Sequence, residues 1–225
     1  MTADEVTGEA FPRFGERPLA QTTAAAAAIR RLSGLLLSLE HDNPTVGMML
    51  DRFAEWEREL AAAASPDAAP RIGPEAKDTQ RLYLSHAFDI GGFNPCFPEY
   101  RFDHLGADTA SGTVSFPLVF EGPPGLVHGG FLGVFFDCVT QHQNCAAGLS
   151  GKTRSLHVRF RRPTPILTEL RFDTVRSEIA GGIGSTARLI LDDEVLCVGE
   201  LTTLALPPGK LAGYRYAKRR TRSSG

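Results

Sequence analysis

Two stretches near the N-terminus repeat apolar side chains at the spacing of an α-helix. The first stretch, about 19–39, includes a run of alanines, which favour helix. The second begins after a break, where Asn43 suits an N-cap and Pro44 the first helical position. The apolar positions are Ile29, Leu32, Leu35, Leu36 and Leu39, then Met49, Phe53, Trp56 and Leu60. The pattern predicts a helical hairpin over residues 18–64 with an apolar face to bury.

The pattern changes in the second half of the chain, where one strongly apolar helix stands among alternating segments. We expect a strand over 112–120, a helix over about 130–147 and four further strands. These strands are predicted over 154–162, 167–179, 183–191 and 195–206, with turns at Gly181-Gly182 and Asp192-Asp193. An apolar helix followed by a meander predicts an α+β fold in which an antiparallel sheet wraps around a central helix.

Composition divides the 225 residues into one domain and its appendages. Residues 1–17 are polar and carry no apolar period, so we expect a flexible arm there. Residues 65–78 contain three prolines and suit a linker. The sheet domain is predicted over 79–207. The final segment, 208–225, is basic towards its end and poor in apolar residues, which favours a disordered tail.

Charge and cysteine content narrow the class of protein. The formal net charge of −2 gives no reason to expect a nucleic-acid partner. The four cysteines form no Cys-x-x-Cys pair and no zinc spacing, so we expect reduced thiols. The N-terminus lacks the basic region of a signal peptide, and no apolar stretch reaches the length of a membrane span. A cytoplasmic protein is the expectation.

The most informative motif is His128-Gly129-Gly130 at the start of the apolar helix, with Asp137 further along it. Backbone N–H groups in the first turn of a helix lack intrahelical partners, and such a group can bind the oxygen of a polarised carbonyl. Asp137 follows Gly130 by seven residues, about two turns, and so lies on the same face. An acid in so apolar a helix is costly unless it has a function. The spacing indicates an acyl-transfer site.

These residues belong to a longer pattern that resembles the hotdog-fold acyl-CoA thioesterases of the phenylacetate-degradation (PaaI) type. The pattern consists of Phe120-Glu-Gly-Pro-Pro-Gly-Leu-Val-His128-Gly-Gly130, Asp137, Thr153 and Arg161-Arg162-Pro163-Thr164-Pro165. It covers about residues 80–206 and leaves the N-terminal helices outside. The resemblance implies a hotdog fold, here with an N-terminal helical extension, and hydrolysis of an acyl-CoA thioester to a free acid and CoA. It implies no metal and no redox cofactor. CoA is not counted as a cofactor because it is part of the substrate.

The resemblance also implies a role for each matching residue. The N–H of Gly129 would polarise the thioester carbonyl, and Asp137 would act as general base or as nucleophile. Thr153 would hold the water or the carboxylate, and His128 would position the glycine turn. The two halves of such a site come from different protomers, which implies a homodimer or a dimer of dimers (a homotetramer). Some relatives carry an asparagine where this chain has Gly122, so the carbonyl has one fewer side-chain contact here.

Several arginines near the strand that follows the helix are candidates for binding the phosphates of CoA. Arg154, Arg161 and Arg162 form this group, and Gly130 is a further candidate for contact with the substrate. A solvated strand face explains the same arginines without a ligand.

Two other functions fit the same fold. A hydratase or dehydratase acting on an enoyl or hydroxyacyl thioester needs an Asp–His pair. Asp137 and His142 are candidates, although the hydratase signature Asp-x-Asn-Pro-x-His is absent. A non-catalytic acyl-CoA-binding module would keep the glycine turn without using Asp137. The N-terminal hairpin could cover a sheet or a second dimer, or cap the acyl tunnel. The sequence does not indicate which acyl group the substrate has, or whether that group is carried by CoA or by an acyl-carrier protein.

Overall fold

The computed structural model describes residues 20–63, 89–147 and 150–206. Its helices are α1 (Ala20–Leu37), α2 (Pro44–Ala63), α3 (Ile90–Phe93) and α4 (Gly129–Ala146), and a short 3-10 helix spans Leu118–Phe120. Its strands are β1 (Tyr100–Leu105), β2 (Thr109–Ser115), β3 (Ser150–Phe160), β4 (Glu169–Ile179), β5 (Gly182–Leu191) and β6 (Glu194–Leu206). The predicted arm, linker and tail (1–17, 65–78 and 208–225) lie outside the described residues, so the domain boundaries stay predictions.

An antiparallel sheet of six strands, in the order β1-β2-β4-β5-β6-β3, curves around α4. Three consecutive side chains of α4 reach different strands of this sheet. Gln141 donates to Thr203 on β6, His142 contacts Tyr100 on β1, and Gln143 accepts from Thr174 on β4. Successive side chains of a helix point about 100° apart, so these three contacts lie on different sides of α4. The sheet must therefore curve around the helix. The predicted α+β hotdog fold is confirmed.

Phenylalanines fill the space between α4 and the concave face of the sheet. Phe116, Phe135 and Phe172 are 0%, 0% and 1% exposed. The ring of Phe135 meets the other two edge to face, with centroids 5.6 and 5.5 Å apart. Such edge-to-face contacts stabilise the fold beyond the effect of burial alone. Truncating one of these rings to alanine would lower the free energy of unfolding by about 3–5 kcal/mol. The packing fixes the position of α4, which carries the candidate site.

The segment between β2 and α4 differs from the prediction. The strand predicted over 112–120 is wrong beyond Ser115, where β2 ends. Pro117 has no N–H to donate to a neighbouring strand, and the carbonyl of Phe116 accepts instead from the N–H of Leu167 at 2.8 Å. The next residues form the 3-10 helix. Strand β1 and helix α3 were not predicted.

Helices α1 and α2 leave their apolar stripes exposed in the protomer. The five positions of the first stripe are 38–65% exposed, and α2 has no buried residue. The N-terminus of α2 is as predicted, since the helix begins at Pro44 and Asn43 Oδ1 accepts from the N–H of Thr45 at 2.9 Å. None of the helices in the described ranges is both long and apolar enough to cross a bilayer.

A polar contact holds α1 against the sheet domain. Arg30 is 6% exposed, and its Nη1 donates to the carbonyls of Gly91 at 2.8 Å and Asn94 at 3.2 Å. Its Nη2 donates to Glu99 Oε2 at 2.8 Å. The carbonyls belong to α3 and the residue that ends it, so Arg30 caps that short helix and attaches α1 to it.

Candidate active site

Backbone hydrogen bonds on both sides fix the chain that enters α4. The N–H of His128 donates to the carbonyl of Phe120, and the N–H of Val127 to the carbonyl of Thr164, each at 2.9 Å. The first bond closes the Phe120–His128 loop on itself. The second ties the loop to the segment between β3 and β4. The start of α4 is therefore held in place by its neighbours in the fold.

The first turn of α4 leaves one backbone N–H without an acceptor. His128 is the N-cap, and its Nδ1 accepts from the N–H of Gly130 at 3.0 Å. The carbonyl of His128 accepts from the N–H groups of Phe131 at 2.9 Å and Leu132 at 3.4 Å. Within the described residues, the N–H of Gly129 donates to no acceptor. This N–H lies at the positive end of the helix dipole and is available to an oxygen of a ligand.

An apolar strip (Leu156 and Phe160) on β3 runs beside this face of α4. A Cβ built on Gly129 would lie 3.0 Å from Phe160 Cζ, and one built on Gly133 would lie 3.6 Å from Leu156 Cδ2. The two strip residues are 38% and 60% exposed. In the protomer, apolar surface is therefore open beside the helix face that leads from Gly129 towards Asp137.

Asp137 receives a hydrogen bond from β3. The hydroxyl of Thr153 donates to Asp137 Oδ1, and Gln141 Nε2 donates to Thr153 Oγ1 at 2.8 Å and to Thr203 Oγ1 at 2.9 Å. Because Thr153 accepts from Gln141, its own proton is directed at the carboxylate. Gln141 thus supports Thr153 and does not pair with Asp137 itself.

A β-bulge turns Thr153 towards Asp137. Thr153 pairs with Thr203 and Leu156 with Leu201, so β3 advances three residues while β6 advances two. The extra residue of β3 falls between Thr153 and Ser155. In a regular strand, residues three apart point to opposite faces, and the bulge puts both side chains on the face of α4. Thr153 lies inside β3, whereas the predicted strand began at residue 154, directly after it.

Gly129 and Asp137 are far apart within one protomer. They are separated by eight residues of α4, which corresponds to about 12 Å along the helix axis. A hydrogen-bond donor and a base that act on the same carbonyl must both lie about 3 Å from the reacting atoms. One copy of the chain therefore does not bring these two groups to one carbonyl.

His142 is turned away from Asp137. Its Nδ1 lies 3.2 Å from the hydroxyl of Tyr100, and its ring meets that of Phe102 with centroids 4.9 Å apart. Burial lowers the pKa of His142 to about 4. Thr153, the partner of Asp137, lies on β3, and Tyr100 lies on β1, at the opposite edge of the sheet. Within the described residues of one protomer, Asp137 and His142 therefore do not form the pair that hydratase chemistry needs.

The thiol next to Asp137 is unsuited to be a nucleophile. Burial, followed by the charge of Asp137, raises the pKa of Cys138 to about 12. The thiol therefore stays protonated near neutral pH, and the thiolate is the reactive form of cysteine.

The candidate phosphate-binding arginines are exposed, and their environments differ. Arg162 Nε donates to Glu194 Oε1 at 2.6 Å, so this guanidinium already has a carboxylate partner. Arg154 is the extra residue of the bulge, and Arg161 follows the end of β3. Within the described residues, neither of these two side chains forms an ion pair. Gly130 lies on α4 directly after Gly129, with its N–H bonded to His128.

Other potential binding features lie elsewhere. No group of three His, Cys, Asp or Glu side chains in the described ranges could hold a metal ion. An open depression of about 590 Å³ at the turn between α1 and α2 is lined by residues such as Leu36, His41 and Val46. It contains none of the predicted site residues.

Solved structures that are similar to this chain include proteins described as thioesterases. A thioesterase superfamily protein is 20% identical, with a TM-score of 0.65 over 85% of this chain and 98% of its own. A hypothetical thioesterase protein from Streptococcus pneumoniae, solved with coenzyme A, is 13% identical, with a TM-score of 0.46 over 49% and 90% of the two chains. A phenylacetic acid degradation-related protein from Ralstonia eutropha is 24% identical, with a TM-score of 0.42 over 48% and 84%. No family model and no curated protein matches the sequence.

The first of these similarities shows the class of fold. The chain has the hotdog fold, as predicted from the sequence, and shares it with a solved thioesterase superfamily protein. The first of the three similarities covers more of this chain than the sheet and its central helix occupy. It therefore extends into the N-terminal helices, which the resemblance in the sequence left outside.

Proposed function

We propose that this protein hydrolyses an acyl-CoA thioester to a free carboxylic acid and CoA. The observation that carries the proposal is the N–H of Gly129, which lacks an acceptor among the described residues while the next three N–H groups of α4 are bonded to His128. A thioester needs such a donor for the negative charge that develops on its carbonyl oxygen. The fold shared with a thioesterase superfamily protein supports the proposal.

Asp137 supplies the second element of the proposed reaction. As general base it accepts a proton from water while the water oxygen bonds to the carbonyl carbon. The resulting oxyanion accepts from the N–H of Gly129. When the tetrahedral intermediate collapses, the carbon–sulfur bond breaks and CoA leaves as a thiol after taking up the proton. As nucleophile, Asp137 would instead bond to the carbonyl carbon, and the carbon–sulfur bond would break as CoA leaves as a thiolate that takes up a proton from water. Water would then hydrolyse the resulting anhydride to the free acid and Asp137.

Thr153 and His128 have positioning roles in this scheme. The hydroxyl of Thr153 orients one oxygen of Asp137 and leaves the other for water. His128 holds the N–H of Gly130 through its side chain and two further N–H groups through its carbonyl, so the N–H of Gly129 alone is left for the substrate.

The proposed active site needs two copies of the chain. The separation of about 12 Å between Gly129 and Asp137 along α4 supports a site that takes each group from a different copy. Strand β3 is at the edge of the sheet, and its apolar strip (Leu156 and Phe160) is open. An unpaired edge with apolar side chains beside it suits pairing with a second β3. We therefore propose a homodimer, or a dimer of such dimers, with the active site at the interface.

The arginines would bind the CoA portion. Arg154 and Arg161 suit the phosphates best, since neither forms an ion pair in the described part of the chain. Arg162 would contribute only if a phosphate replaced Glu194 as its partner. Gly130 would contact the substrate through its Cα or carbonyl, since its N–H is bonded to His128.

Thiol release from a panel of acyl-CoAs tests the proposal. The panel runs from acetyl to palmitoyl and adds phenylacetyl, benzoyl and an enoyl thioester. The assay uses a Cys96→Ser background, because the exposed thiol of Cys96 would react with the detection reagent. We expect release from at least one member, and at least about a 100-fold lower rate in Asp137→Asn at an unchanged melting temperature.

The same panel separates the alternatives. Release at the wild-type rate from Asp137→Asn would contradict the proposal. Thermal stabilisation by acyl-CoAs without any release would favour a binding module. Loss of the enoyl absorbance without thiol release would favour a hydratase.

A further inference from the structure

A buried arginine without a carboxylate partner lies behind the C-terminal half of α4. Arg176 of β4 is 7% exposed. Its Nε donates to Asn144 Oδ1 at 3.1 Å, and its Nη1 lies 3.4 Å from the carbonyl of Ala107. No carboxylate pairs with it within the described residues. Buried guanidinium groups are ordinarily paired with an anion, because an isolated charge is strongly disfavoured away from water.

Two more polar atoms beside Arg176 are buried and have no partner. They are Asn144 Nδ2 and Ser185 Oγ, on residues that are 0% and 3% exposed. Ser185 lies directly opposite Arg176 in the register of β4 and β5, so both side chains point to the same, inner face of the sheet. The amide of Asn144 cannot be turned over, because its NH₂ group would then face the N–H of Arg176.

The neighbouring polar groups are already engaged. Thr174 donates to Gln143 Oε1 at 2.7 Å, and Gln143 Nε2 donates to the carbonyl of Gly106 at 3.1 Å. The two unpartnered atoms are therefore an amide group that only donates and a hydroxyl, that of Ser185, which can donate or accept. A water molecule would accept from these donors but would find only the hydroxyl of Ser185 for its own two hydrogens. An anion accepts hydrogen bonds and donates none.

We propose that Asn144, Arg176 and Ser185 bind a small monovalent anion such as chloride between α4 and the β4–β5 pair. The ion neutralises the guanidinium and accepts hydrogen bonds from the Asn144 amide and the Ser185 hydroxyl. Asn144 follows Asp137 by seven residues, about 10 Å along α4, so the anion site is separate from the proposed active site. Its function is to hold the C-terminal half of α4 against the sheet.

Diffraction from crystals soaked in bromide tests the site directly, because bromide replaces chloride and scatters anomalously. We expect an anomalous peak within hydrogen-bond reach of Asn144 Nδ2, Ser185 Oγ and a guanidinium nitrogen of Arg176. Density at this place without an anomalous signal would identify a water, and an empty place would leave the donors unpaired. Either result would overturn the proposal.

Thermal unfolding in sodium chloride and in sodium gluconate of equal ionic strength gives a second readout. Chloride at ten times its dissociation constant is expected to raise the melting temperature by about 3–6 °C relative to gluconate. Ser185→Ala should lose most of this rise. Thr186→Ala should keep it, since Thr186 is exposed on the outer face of the same strand. Equal melting temperatures in the two salts, or an undiminished chloride response in Ser185→Ala, would refute the site.

Discussion

The proposed oxyanion donor can be removed without breaking a hydrogen bond of the helix. Gly129 is the first residue of α4, and its N–H has no acceptor among the described residues. Proline is well tolerated at this position, because its fixed φ suits the helix and the missing N–H has no intrahelical partner. His128, with φ −63° and ψ 130°, already has the extended conformation that a residue before proline adopts. Gly129→Pro therefore deletes one N–H at the start of an otherwise unchanged helix.

Gly129→Ala is the matched control. Both substitutions add a Cβ that would lie 3.0 Å from Phe160 Cζ, so both require the same small shift of this ring. Only proline removes the N–H. We expect the two variants to have similar melting temperatures, so a difference in activity between them reports on the hydrogen-bond donor.

One oxyanion donor contributes about 10²–10³-fold to kcat, or about 2.7–4 kcal/mol of transition-state stabilisation. Thiol release from the best acyl-CoA should therefore fall at least about 100-fold in Gly129→Pro relative to Gly129→Ala, with little change in KM. Equal rates in the two folded variants would refute the assignment of Gly129 as donor.

Three further perturbations test other parts of the structure. Thr153→Val should lower kcat about ten- to a hundredfold with little change in melting temperature. Thr153→Ser, which keeps the hydroxyl, should have a kcat close to that of the wild type. A Thr153→Val variant with wild-type kcat would exclude the positioning role. Arg30→Met removes the contact that holds α1 and should lower the free energy of unfolding by about 2 kcal/mol, which corresponds to a melting temperature about 4–8 °C lower. The exposed Arg31→Met should change the melting temperature little. Burial lowers the pKa of His142 from 6.5 to about 4, so the unfolded chain takes up a proton first as the pH falls through 6.5. In urea unfolding, the free energy of unfolding of the wild type should therefore fall by about 2 kcal/mol more than that of His142→Gln between pH 7.5 and pH 5. If the free energies of the two proteins fell in parallel with pH, the buried neutral state of His142 would be contradicted.

Much of the sheet domain could be predicted because its signals are local. Helix α4 lies within one residue of its predicted bounds, since the apolar run and the glycine pair that opens it are adjacent in sequence. The turn predicted at Asp192-Asp193 joins β5 to β6, with φ values of 48° and 65°. Two successive left-handed residues of this kind match the right-handed twist of a hairpin, and aspartate tolerates them.

The missed elements have weak or interrupted patterns. Strand β1 is at the edge of the sheet, and Tyr100 is its one buried residue, so the alternation that marks a strand is faint. The run over 112–120 is mostly apolar, with Thr113 and Ser115 as its polar residues, and the lack of an N–H at Pro117 ends the strand. The apolar stripe on α1 indicates a helix face suited to burial, but the spacing of its side chains does not indicate which surface packs against that face.

The candidate site depends on contacts between distant parts of the chain. The sequence could place Gly130 and Asp137 on one face of a helix, directly after Gly129. It could not reveal that His128 binds the next three N–H groups, because that follows from the backbone geometry of the cap. The bulge that turns Thr153 towards Asp137 is set by pairing with β6, some fifty residues away, and no local pattern marks it. The contact between Asn144 and Arg176 is hidden for the same reason.

Complementation between two inactive variants tests most directly the claim that two copies build one active site. Gly129→Pro lacks the donor and Asp137→Asn lacks the acid, but a mixed dimer of the two has one site in which both groups are intact. Co-expression with two different tags and tandem purification isolates that mixed dimer. We expect each variant alone to be nearly inactive and the mixed dimer to recover about half of the wild-type rate of thiol release, since one of its two sites is complete. A mixed dimer no more active than its parents would contradict the shared site.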